Sequence, residues 1–482
     1  MKTDKCTPLV VDLDGTLTPT DTLVESLVML VKQSPLDLLR VPLWLLKGRA
    51  AFKEEMASHA SIAVELLPYR ESLLAYLHGE KANGRQIILA TAAHRSIAER
   101  VSSHLGLFDG VLATDLGRNL KGKAKLQAIL EEVGEEFVYA GDSRADIPIW
   151  KAAQAAVLVG ASSGLAESIR RDAPIEKEFP KDATGFAIWL RALRVHQWLK
   201  NLLIFVPVLT AFSFTEIGKL ATVAVAFIAF SFAASATYIV NDLGDLESDR
   251  IHRRKRLRPF ASAKIPILQG LAVAGSALIL AFVLAISVSK GLFMMLILYV
   301  VLTSAYSWVL KEYVLLDVLI LSLLYTLRIL AGSVVLGVAT SSWLLAFSVF
   351  MFLSLALVKR CSELVSLDQI GVKATRGRDY RVADLVVLWP LGVGAALLAV
   401  VVFGLFISAP DTQTRYATPQ LLWLVAIGLI YWLARLWIKT SRGEMTDDPM
   451  IYALTNPNSC ITVIAMIAMT LAAHFISLGA FL

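Results

Sequence analysis

Apolar residues divide the chain into two parts near residue 200. Beyond that point, apolar runs of roughly 18–23 residues alternate with short polar loops, and such runs are long enough for an α-helix to cross a bilayer. The pattern therefore predicts an all-α membrane domain over residues 201–482. Its nine predicted transmembrane helices lie at about residues 202–217, 220–240, 266–288, 291–309, 314–337, 343–359, 385–408, 420–438 and 460–481.

Residues 1–180 show a different pattern, in which short β-branched runs end in polar residues. The runs are "PLVVDL", "RQIILAT", "EFVYAGDS" and "AAVLVGA", with helical segments between them. This alternation predicts a soluble α/β domain with a parallel sheet, whose ligands bind at the carboxyl ends of the strands. Residues 16–77 form a helical insertion, and residues 181–200 are expected to be a linker and an interfacial helix.

Composition agrees with a membrane protein, since 56% of the 482 residues are hydrophobic and only 18% are charged. That balance excludes an ordinary soluble protein, and no nucleic-acid partner is expected. No long apolar stretch precedes the first charged loop, so no cleavable signal peptide is expected. Cys6, Cys361 and Cys460 lie far apart in sequence and are expected to be unpaired thiols.

The formal net charge of +6 is concentrated in alternate loops of the membrane domain. The positive-inside rule places the basic loops and the N-terminal domain in the cytoplasm, at the inner membrane. Nine helices would then leave the C-terminus outside. The basic loops contain Arg191, Arg194 and Lys200, residues 250–258, Lys311, residues 359–381, Lys439 and Arg442.

Polar residues at the predicted strand ends carry candidate chemistry. They are Asp12, Asp14, Thr91, a lysine at 123 or 125, Asp142 and Asp146. In this order they resemble the four motifs of the haloacid dehalogenase (HAD) phosphatase superfamily, whose members have a Rossmann-like fold with a cap. The resemblance implies that Asp12 is the nucleophile and Asp14 the general acid and base.

The same resemblance assigns the remaining residues of this set. Thr91 would hydrogen-bond the phosphoryl group, and Lys125, with Lys123 as the alternative, would neutralise it. Asp142 and Asp146 would complete a Mg²⁺ site with Asp12 and Asp14, because Mg²⁺ prefers oxygen ligands.

Two features of the insertion and its surroundings remain open at this stage. His94 in "TAAHRS" could touch substrate or cap a helix. The apolar stretch "SPLDLLRVPLWLLKGRAAF", with Trp44 and Leu45, could pack on the core or enter the membrane interface.

A carboxylate ladder follows the second predicted transmembrane helix, in "YIVNDLGDLESDRIHRRKRLRPFASAK". Asn241, Asp245 and Asp249 are spaced so that a continuing helix places them on one face, whereas Asp242 lies off it. Such ligands suit Mg²⁺ bound to a pyrophosphate, and the following cations can meet the remaining phosphate charge. These cations are Arg250, His252, Arg253, Lys255, Arg256 and Arg258.

The ladder resembles the NDxxDxxxD loop of the UbiA superfamily of intramembrane transferases, which have nine helices. The resemblance extends over about residues 185–482 and includes polar positions at or inside predicted helices, namely Tyr306, Lys311, Asp317 and Arg328. Members that transfer prenyl groups carry a second acidic motif, DxxxD. Here "LVKRCSELVSL" replaces it, with Lys359, Arg360 and Glu363.

This departure is similar to the branch that makes polyprenyl-phosphoryl 5-phosphoribose, as are "RVHQWLKN", which contains Lys200, and "KRLRPFAS". The resemblance implies Mg²⁺-dependent transfer of 5-phosphoribose from phosphoribosyl pyrophosphate (PRPP) to a polyprenyl phosphate. Lys359 and Arg360 would bind the lipid phosphate. The HAD domain would then remove the 5-phosphate, giving polyprenyl-phosphoryl ribose for envelope glycans.

Three alternatives stay open. The membrane domain could prenylate an aromatic or other small acceptor while the HAD domain hydrolyses a different ester. The HAD domain could act on prenyl phosphates or on PRPP, or the membrane domain could be a transporter or scaffold. Prenyl chain length and oligomeric state, including a homo-oligomer, are not determined by the sequence.

Overall fold

The computed structural model describes residues 7–115, 118–181, 185–374, 378–445 and 448–477. The chain separates into two compact units. The first contains Met1–Leu193 and Tyr238–Ala274, and the second contains Arg194–Thr237 and Gly275–Leu482. A segment from the predicted membrane domain therefore packs with the predicted soluble domain.

The first unit is built on a six-stranded parallel sheet with strand order β3-β2-β1-β4-β5-β6. Val10 of the central strand pairs with Ile88 on one side and Tyr139 on the other. Leu9 and Val11 contribute to one hydrophobic core and Val10 to another, so both faces of this strand are buried. The strands are β1 Leu9–Val11, β2 Ile87–His94, β3 Gly110–Thr114, β4 Val138–Gly141, β5 Ala155–Val159 and β6 Ile175–Phe179.

The sixth strand was not expected from the sequence. It lies in the charged stretch before residue 181 that reads as extended linker, and it pairs with β5 at the sheet edge. Charged side chains are tolerated there because an edge strand has one free side.

Helices surround the sheet and fill the predicted insertion. The insertion contains α1 Thr22–Gln33, a 3-10 helix Pro35–Arg40, α2 Val41–Leu46, α3 Arg49–His59 and α4 Glu71–Ala82. The remaining helices before residue 193 are α5 Arg95–Leu105, α6 Lys123–Glu132, α7 Ile147–Ala152, α8 Ser163–Asp172 and α9 Phe186–Ala192.

The rest of the chain is helical, which confirms the predicted fold class of an α/β domain followed by a helical membrane domain. The helices are α10 Val206–Thr210, α11 Ile217–Gly244, α12 Leu246–Ile251, α13 Ile267–Val288, α14 Lys290–Trp308, α15 Leu316–Leu336, α16 Ser342–Gln369, α17 Leu385–Ser408, α18 Pro410–Arg415, α19 Leu422–Ser441, α20 Pro449–Thr455 and α21 Pro457–Phe475.

Among the described residues, eight helices are long and apolar enough to cross a membrane, so the predicted count of nine is one too high. The run predicted at residues 202–217 is not a continuous helix. It starts within a 3-10 helix, Val195–Phe205, and continues into the short helix α10. Pro207, near the α10 N-terminus, has no backbone N–H to donate to the preceding turn, which favours a break there.

The broken segment nevertheless lies along α11. Trp198 Nε1 donates a hydrogen bond to Ser235 Oγ at 2.9 Å, and Asn201 Nδ2 donates to Ser231 Oγ at 3.0 Å. As the residue number rises from 198 to 201 in the broken segment, the number of the partner on α11 falls from 235 to 231. The two segments therefore run antiparallel.

Candidate functional site

Three carboxylates meet at the carboxyl edge of the sheet. Asp12 follows β1, Asp142 follows the neighbouring β4, and Asp146 lies in the turn that leads into α7. One oxygen from each lies within 4.8 Å of the others, an arrangement that can hold a metal ion. The strand order produces this cluster, because adjacent parallel strands end at the same edge.

A buried lysine neutralises part of this charge. Lys125 Nζ, from the first turn of α6, lies 2.7 Å from Asp12 Oδ2 and 3.6 Å from Asp146 Oδ1. Lys123, the other candidate from the sequence, is exposed. The structure thus brings Lys125 to the cluster.

Tyr139 is part of the same network, although sequence analysis missed it. Its hydroxyl accepts a hydrogen bond from Lys125 Nζ at 3.0 Å and donates one to Asp146 Oδ1 at 2.8 Å. Thr16 Oγ1, also missed, donates to Asp142 Oδ1 at 3.4 Å. A tyrosine in the otherwise apolar run "FVYAG" was the one available signal, since a buried hydroxyl needs a partner.

Burial and mutual repulsion raise the pKa values of the carboxyl groups in this site. Burial raises the pKa of Asp12 to about 6, although Lys125 opposes the shift. Burial, with Asp12 and Asp146 nearby, raises the pKa of Asp142 to about 7. These carboxylates are costly to ionise together, and a divalent cation would relieve that cost.

Asp14 and Thr91 lie outside the three-carboxylate cluster. Asp14 Oδ1 accepts a hydrogen bond from the backbone N–H of Thr22 at 2.8 Å, which turns its carboxylate toward the start of α1. Its side chain is therefore not among the clustered ligands. Burial, followed by repulsion from Asp21, raises the pKa of Asp14 to about 7. Thr91 lies inside β2, which continues to His94; it is fully buried and accepts a hydrogen bond from Ala93 N–H.

His94 has a structural role in this arrangement. Its Nδ1 accepts from the Ser96 backbone N–H at the start of α5, and its Nε2 lies 2.6 Å from Glu54 Oε2 on α3. The side chain thus caps one helix and ties it to the insertion.

Two cavities open beside Asp14. The first, about 340 Å³, lies against the insertion and includes Leu45, Phe52 and Lys53. The second, about 430 Å³, contains Asp12, Asp14, Lys125, Asp142 and Asp146. Its opposite wall is formed by Phe260, Ala263, Ile265, Pro266, Ile267 and Leu268.

That wall is held to α1 by a buried ion pair. Arg250 NH2 lies 2.6 Å from Glu25 Oε1, and both side chains are almost fully buried. Arg250 Nε also donates to Ala261 O at 3.1 Å, while Thr20 Oγ1 donates to Glu25 Oε1 at 2.8 Å. The pair thus connects the 250–261 segment to the loop that contains Asp14.

The carboxylate ladder lies at the junction of α11 and α12. Helical hydrogen bonds continue across the junction, from Asp245 N–H to Asn241 O and from Asp249 N–H to Asp245 O. Asn241 Nδ2 donates a hydrogen bond to Asp245 Oδ2 at 3.2 Å. The sequence predicted that Asp242 lies off the acidic face. In the structure, Arg258 NH1 contacts both Asp242 Oδ1, at 3.1 Å, and Asp249 Oδ2, at 2.7 Å.

Asp242 and Asp249 share Arg258 because a spacing of seven residues is two helical turns. Burial raises the pKa of Asp249, and Arg258 opposes this shift. The other cations of the loop, Arg253, Lys255 and Arg256, are exposed.

In the second unit, two predicted phosphate-binding lysines share one acid. Asp448 Oδ2 lies 2.7 Å from Lys200 Nζ and 3.2 Å from Lys359 Nζ. Burial raises the pKa of Asp448, but the two lysines outweigh it and hold that pKa well below its usual range. Asp448 was missed because no periodic motif surrounds it.

Lys359 and Arg360 were predicted to act together, but they face different surroundings. Arg360 is fully buried, and its NH2 group lies 2.6 Å from Asp317 Oδ2. Its other terminal nitrogen contacts Glu363. Neighbouring side chains on a helix point about 100° apart. Lys359 therefore contacts Asp448, whereas Arg360 points into the core. Arg360 and Asp317 thus form a buried ion pair, and their predicted role in substrate binding stays a prediction.

The remaining predicted residues are distributed around this region. Arg328 is buried, donates to Asn201 Oδ1 at 2.8 Å and lies 5.7 Å from the Tyr325 ring, which Lys200 approaches at 5.8 Å. Tyr306 and Lys311 are half-buried.

Fold and site together describe a multi-pass membrane enzyme with a hydrolase domain. The family profile for haloacid dehalogenase-like hydrolases matches residues 9–151, and that for the UbiA prenyltransferase family matches residues 202–456. The chain belongs to the UbiA prenyltransferase family and carries a HAD-like domain before it. Both resemblances seen in the sequence are therefore confirmed.

Three curated relatives show different extents of similarity. An uncharacterized protein, y4nM, of Sinorhizobium fredii is 40% identical and covers 95% of this chain and 89% of its own length. Nodulation protein NoeC of Azorhizobium caulinodans is 34% identical, covering 58% and 91% respectively. Decaprenyl-phosphate phosphoribosyltransferase of Mycolicibacterium smegmatis is 31% identical, covering 48% and 73%.

Proposed function

We propose that this protein catalyses two consecutive reactions on a membrane lipid. Its membrane domain transfers 5-phosphoribose from PRPP to a polyprenyl phosphate, and its HAD-like domain hydrolyses the 5-phosphate of the product. The observation that carries this proposal is the wall of the Asp12 cavity. Ile267 and Leu268 line the cavity and are also the first residues of α13, a helix suited to cross a membrane.

This wall favours a lipid-borne substrate for the hydrolase. A site for a freely soluble sugar phosphate has no need of the first turn of a membrane helix, whereas a phosphate attached to a lipid must be reached at the bilayer surface. The membrane domain would make such an ester. Similarity to decaprenyl-phosphate phosphoribosyltransferases supports its identity as a phosphoribosyl lipid.

In the first reaction, the C1–O bond of PRPP breaks and pyrophosphate leaves, while an oxygen of the lipid phosphate bonds to C1. Asn241, Asp245 and Asp249 would hold Mg²⁺, which would stabilise the departing pyrophosphate. Arg258 contacts both Asp242 and Asp249, and its guanidinium is suited to a phosphate oxygen. Lys200 and Lys359 would attract the acceptor phosphate, which needs no general base because it is already ionised.

In the second reaction, the Asp12 carboxylate attacks phosphorus and the ester oxygen leaves with a proton from Asp14. A water molecule, deprotonated by Asp14, then cleaves the aspartyl phosphate. Lys125 holds Asp12 ionised, and Asp12, Asp142 and Asp146 would hold Mg²⁺ to offset charge at the phosphoryl group. With its pKa raised to about 7, Asp14 suits both proton transfers.

The cytoplasmic face of the inner membrane is the proposed location of both sites. The basic loops support this orientation. The ion pair between Glu25 and Arg250 agrees, since it requires the HAD-like domain and the ladder loop to share one side. The C-terminus is proposed to lie outside, which requires the broken segment before α11 to cross the membrane in addition to the eight long helices.

Purified full-length protein with Mg²⁺, labelled PRPP and a polyprenyl phosphate tests the proposal. Wild-type protein should form a lipid-linked ribose without its 5-phosphate, and Asp12→Asn should accumulate the 5-phosphorylated lipid. Asp249→Asn should form neither, yet still hydrolyse added 5-phosphorylated lipid. Absence of any PRPP-dependent lipid product would overturn the proposal, and prenylation of an aromatic acceptor would favour the alternative.

A further inference from the structure

The insertion over the HAD-like domain carries a row of exposed leucines. Leu36, Leu39, Leu43 and Leu46 are 79%, 78%, 61% and 84% exposed. They lie on the 3-10 helix Pro35–Arg40 and on α2, at a spacing that places them on one side of a helical segment. The row is a continuous apolar surface, which single exposed leucines are not.

Trp44 does not belong to this surface. It is only 4% exposed, and its ring lies 4.9 Å from that of His59 on α3. The sequence left open whether Trp44 packs on the core or enters the membrane interface, and its burial beside His59 attaches α2 to α3. That attachment presents the leucines outward on a supported helix.

The charges around the leucine row fit an anionic surface. Arg40, Lys47 and Arg49 lie within residues 35–49. Arg40 pairs with Asp37 and Lys47 with Glu55, each at 2.9 Å, so three cations face two carboxylates and one positive charge is left over. Leucines flanked by lysine and arginine suit the boundary between acyl chains and headgroups.

The leucine row also reaches the cavity beside Asp14. Leu45 is 54% exposed next to the row, and it lines the 340 Å³ cavity together with Asp14 and Lys53. Leu45 therefore joins the leucine row to the cavity that contains Asp14.

We propose that Leu36, Leu39, Leu43 and Leu46 insert into the bilayer interface and hold the mouth of the hydrolase cavity where a lipid phosphate ester lies. The role in substrate access rests on the proposed function. The membrane contact does not rest on the proposed function. Membrane contact and substrate access are therefore measured in separate experiments.

Membrane contact is measured with the full-length protein in vesicles of phosphatidylcholine and phosphatidylglycerol. Cys6 and Cys460 are replaced by serine, whereas the fully buried Cys361 is kept. An environment-sensitive dye is attached to Leu43→Cys or, as a matched control, to Leu130→Cys on α6, where the leucine is 39% exposed. Doxyl-labelled lipids should quench the dye at 43 and not at 130.

Quenching equal to that at 130 would overturn the proposal. A blue-shifted dye at 43 that doxyl lipids do not reach would also overturn it, because a protein partner or a second copy would then cover the leucines. Both outcomes are independent of catalysis, so they are distinct from a failure of the proposed reactions.

The access role is measured with Leu39→Ser, Leu43→Ser and Leu46→Ser combined. Hydrolysis of the 5-phosphorylated lipid in vesicles should fall at least tenfold, while hydrolysis of p-nitrophenyl phosphate should stay within twofold. Leu130→Ser should change neither rate. Equal loss on both substrates would show damage to the fold and would overturn the access role.

Discussion

Lys125 is the residue on which the hydrolase site most depends. It is buried against Asp12 and hydrogen-bonded to Tyr139, so its charge lies directly beside the carboxylate. Lys125→Met should lower phosphate hydrolysis at least 100-fold, since a preorganised charge near a reacting phosphoryl group contributes several kcal/mol, on the order of 3 kcal/mol. Rates on the 5-phosphorylated lipid measure this effect.

Lys123→Met is the matched control, because Lys123 is exposed two residues away on the same helix. Its rate should remain within about threefold of wild type. A large loss in Lys123→Met with a small one in Lys125→Met would contradict the assignment.

Arg258 offers a parallel comparison in the ladder loop. Removing its guanidinium leaves Asp242 and Asp249 buried without their shared cation. Arg258→Gln should therefore reduce phosphoribosyl transfer at least tenfold, measured as lipid product from labelled PRPP. The exposed neighbour Arg256→Gln should cost less than threefold, and a reversed order would contradict a specific role for Arg258.

Residue identities were predictable from the sequence where a motif fixed both residue type and spacing. The three clustered carboxylates follow strands whose order is typical of parallel sheets, so their meeting could be anticipated. Asp448 could not be, because its segment has no motif. Thr16 and Tyr139 stand beside motif residues, but only the packing shows that their hydroxyl groups bond to Asp142 and Asp146. The choice between Lys123 and Lys125 needed the actual rotation of α6.

At the scale of elements, the buried pair of Glu25 and Arg250 is the main connection between α1 and the ladder loop. Glu25→Gln leaves Arg250 buried without its counter-charge, which should destabilise the first unit by about 3–5 kcal/mol. A lowered thermal unfolding midpoint of the detergent-solubilised protein would report this loss.

The control is an ion pair at the surface in which a lysine takes the place of the arginine. Lys47 and Glu55 are 2.9 Å apart, but Lys47 is largely exposed, so Glu55→Gln should cost less than about 1 kcal/mol. Equal shifts in the two variants would mean that burial does not strengthen the Glu25 pair.

The bounds of the long helices show where the hydrophobic pattern predicts a membrane helix correctly and where it does not. Eight apolar runs became long helices, because an uninterrupted run of this length satisfies its own backbone hydrogen bonds in lipid. The run at 202–217 became a 3-10 helix and a short α-helix, because Pro207 and close packing outweigh hydrophobicity. A side chain at Gly332, for example, would place its Cβ 2.1 Å from Ile204 O.

The broken segment still passes from one end of its unit to the other. Lys200 contacts Asp448 in the loop before α20, while the Phe212 ring stacks at 3.5 Å on His474, near the end of α21. Helix count alone is therefore an incomplete guide to how often this chain crosses the bilayer.

At the scale of the whole molecule, the two proposed reactions can follow one another only if both proteins share a bilayer. A polyprenyl tail buries many CH₂ groups at about 0.8 kcal/mol each, so the intermediate cannot move between vesicles. Asp12→Asn and Asp249→Asn proteins reconstituted together should restore the dephosphorylated lipid. The same proteins in separate vesicles, later mixed, should give only the 5-phosphorylated lipid.

Product from the separate vesicles would contradict a membrane-bound intermediate. Failure of the co-reconstituted pair, with each variant active in its own half-reaction, would instead show that transfer occurs only within one chain.

The wall formed by residues 260–268 has a consequence for how the gene could be divided. A break between the two family matches, at about residues 152–201, would look harmless on the sequence. The severed N-terminal protein would lose Arg250, the partner of Glu25, and one side of its catalytic pocket. Separate genes for the two activities would thus have to evolve a replacement for that side, which gives selection a physical reason to keep this fusion intact.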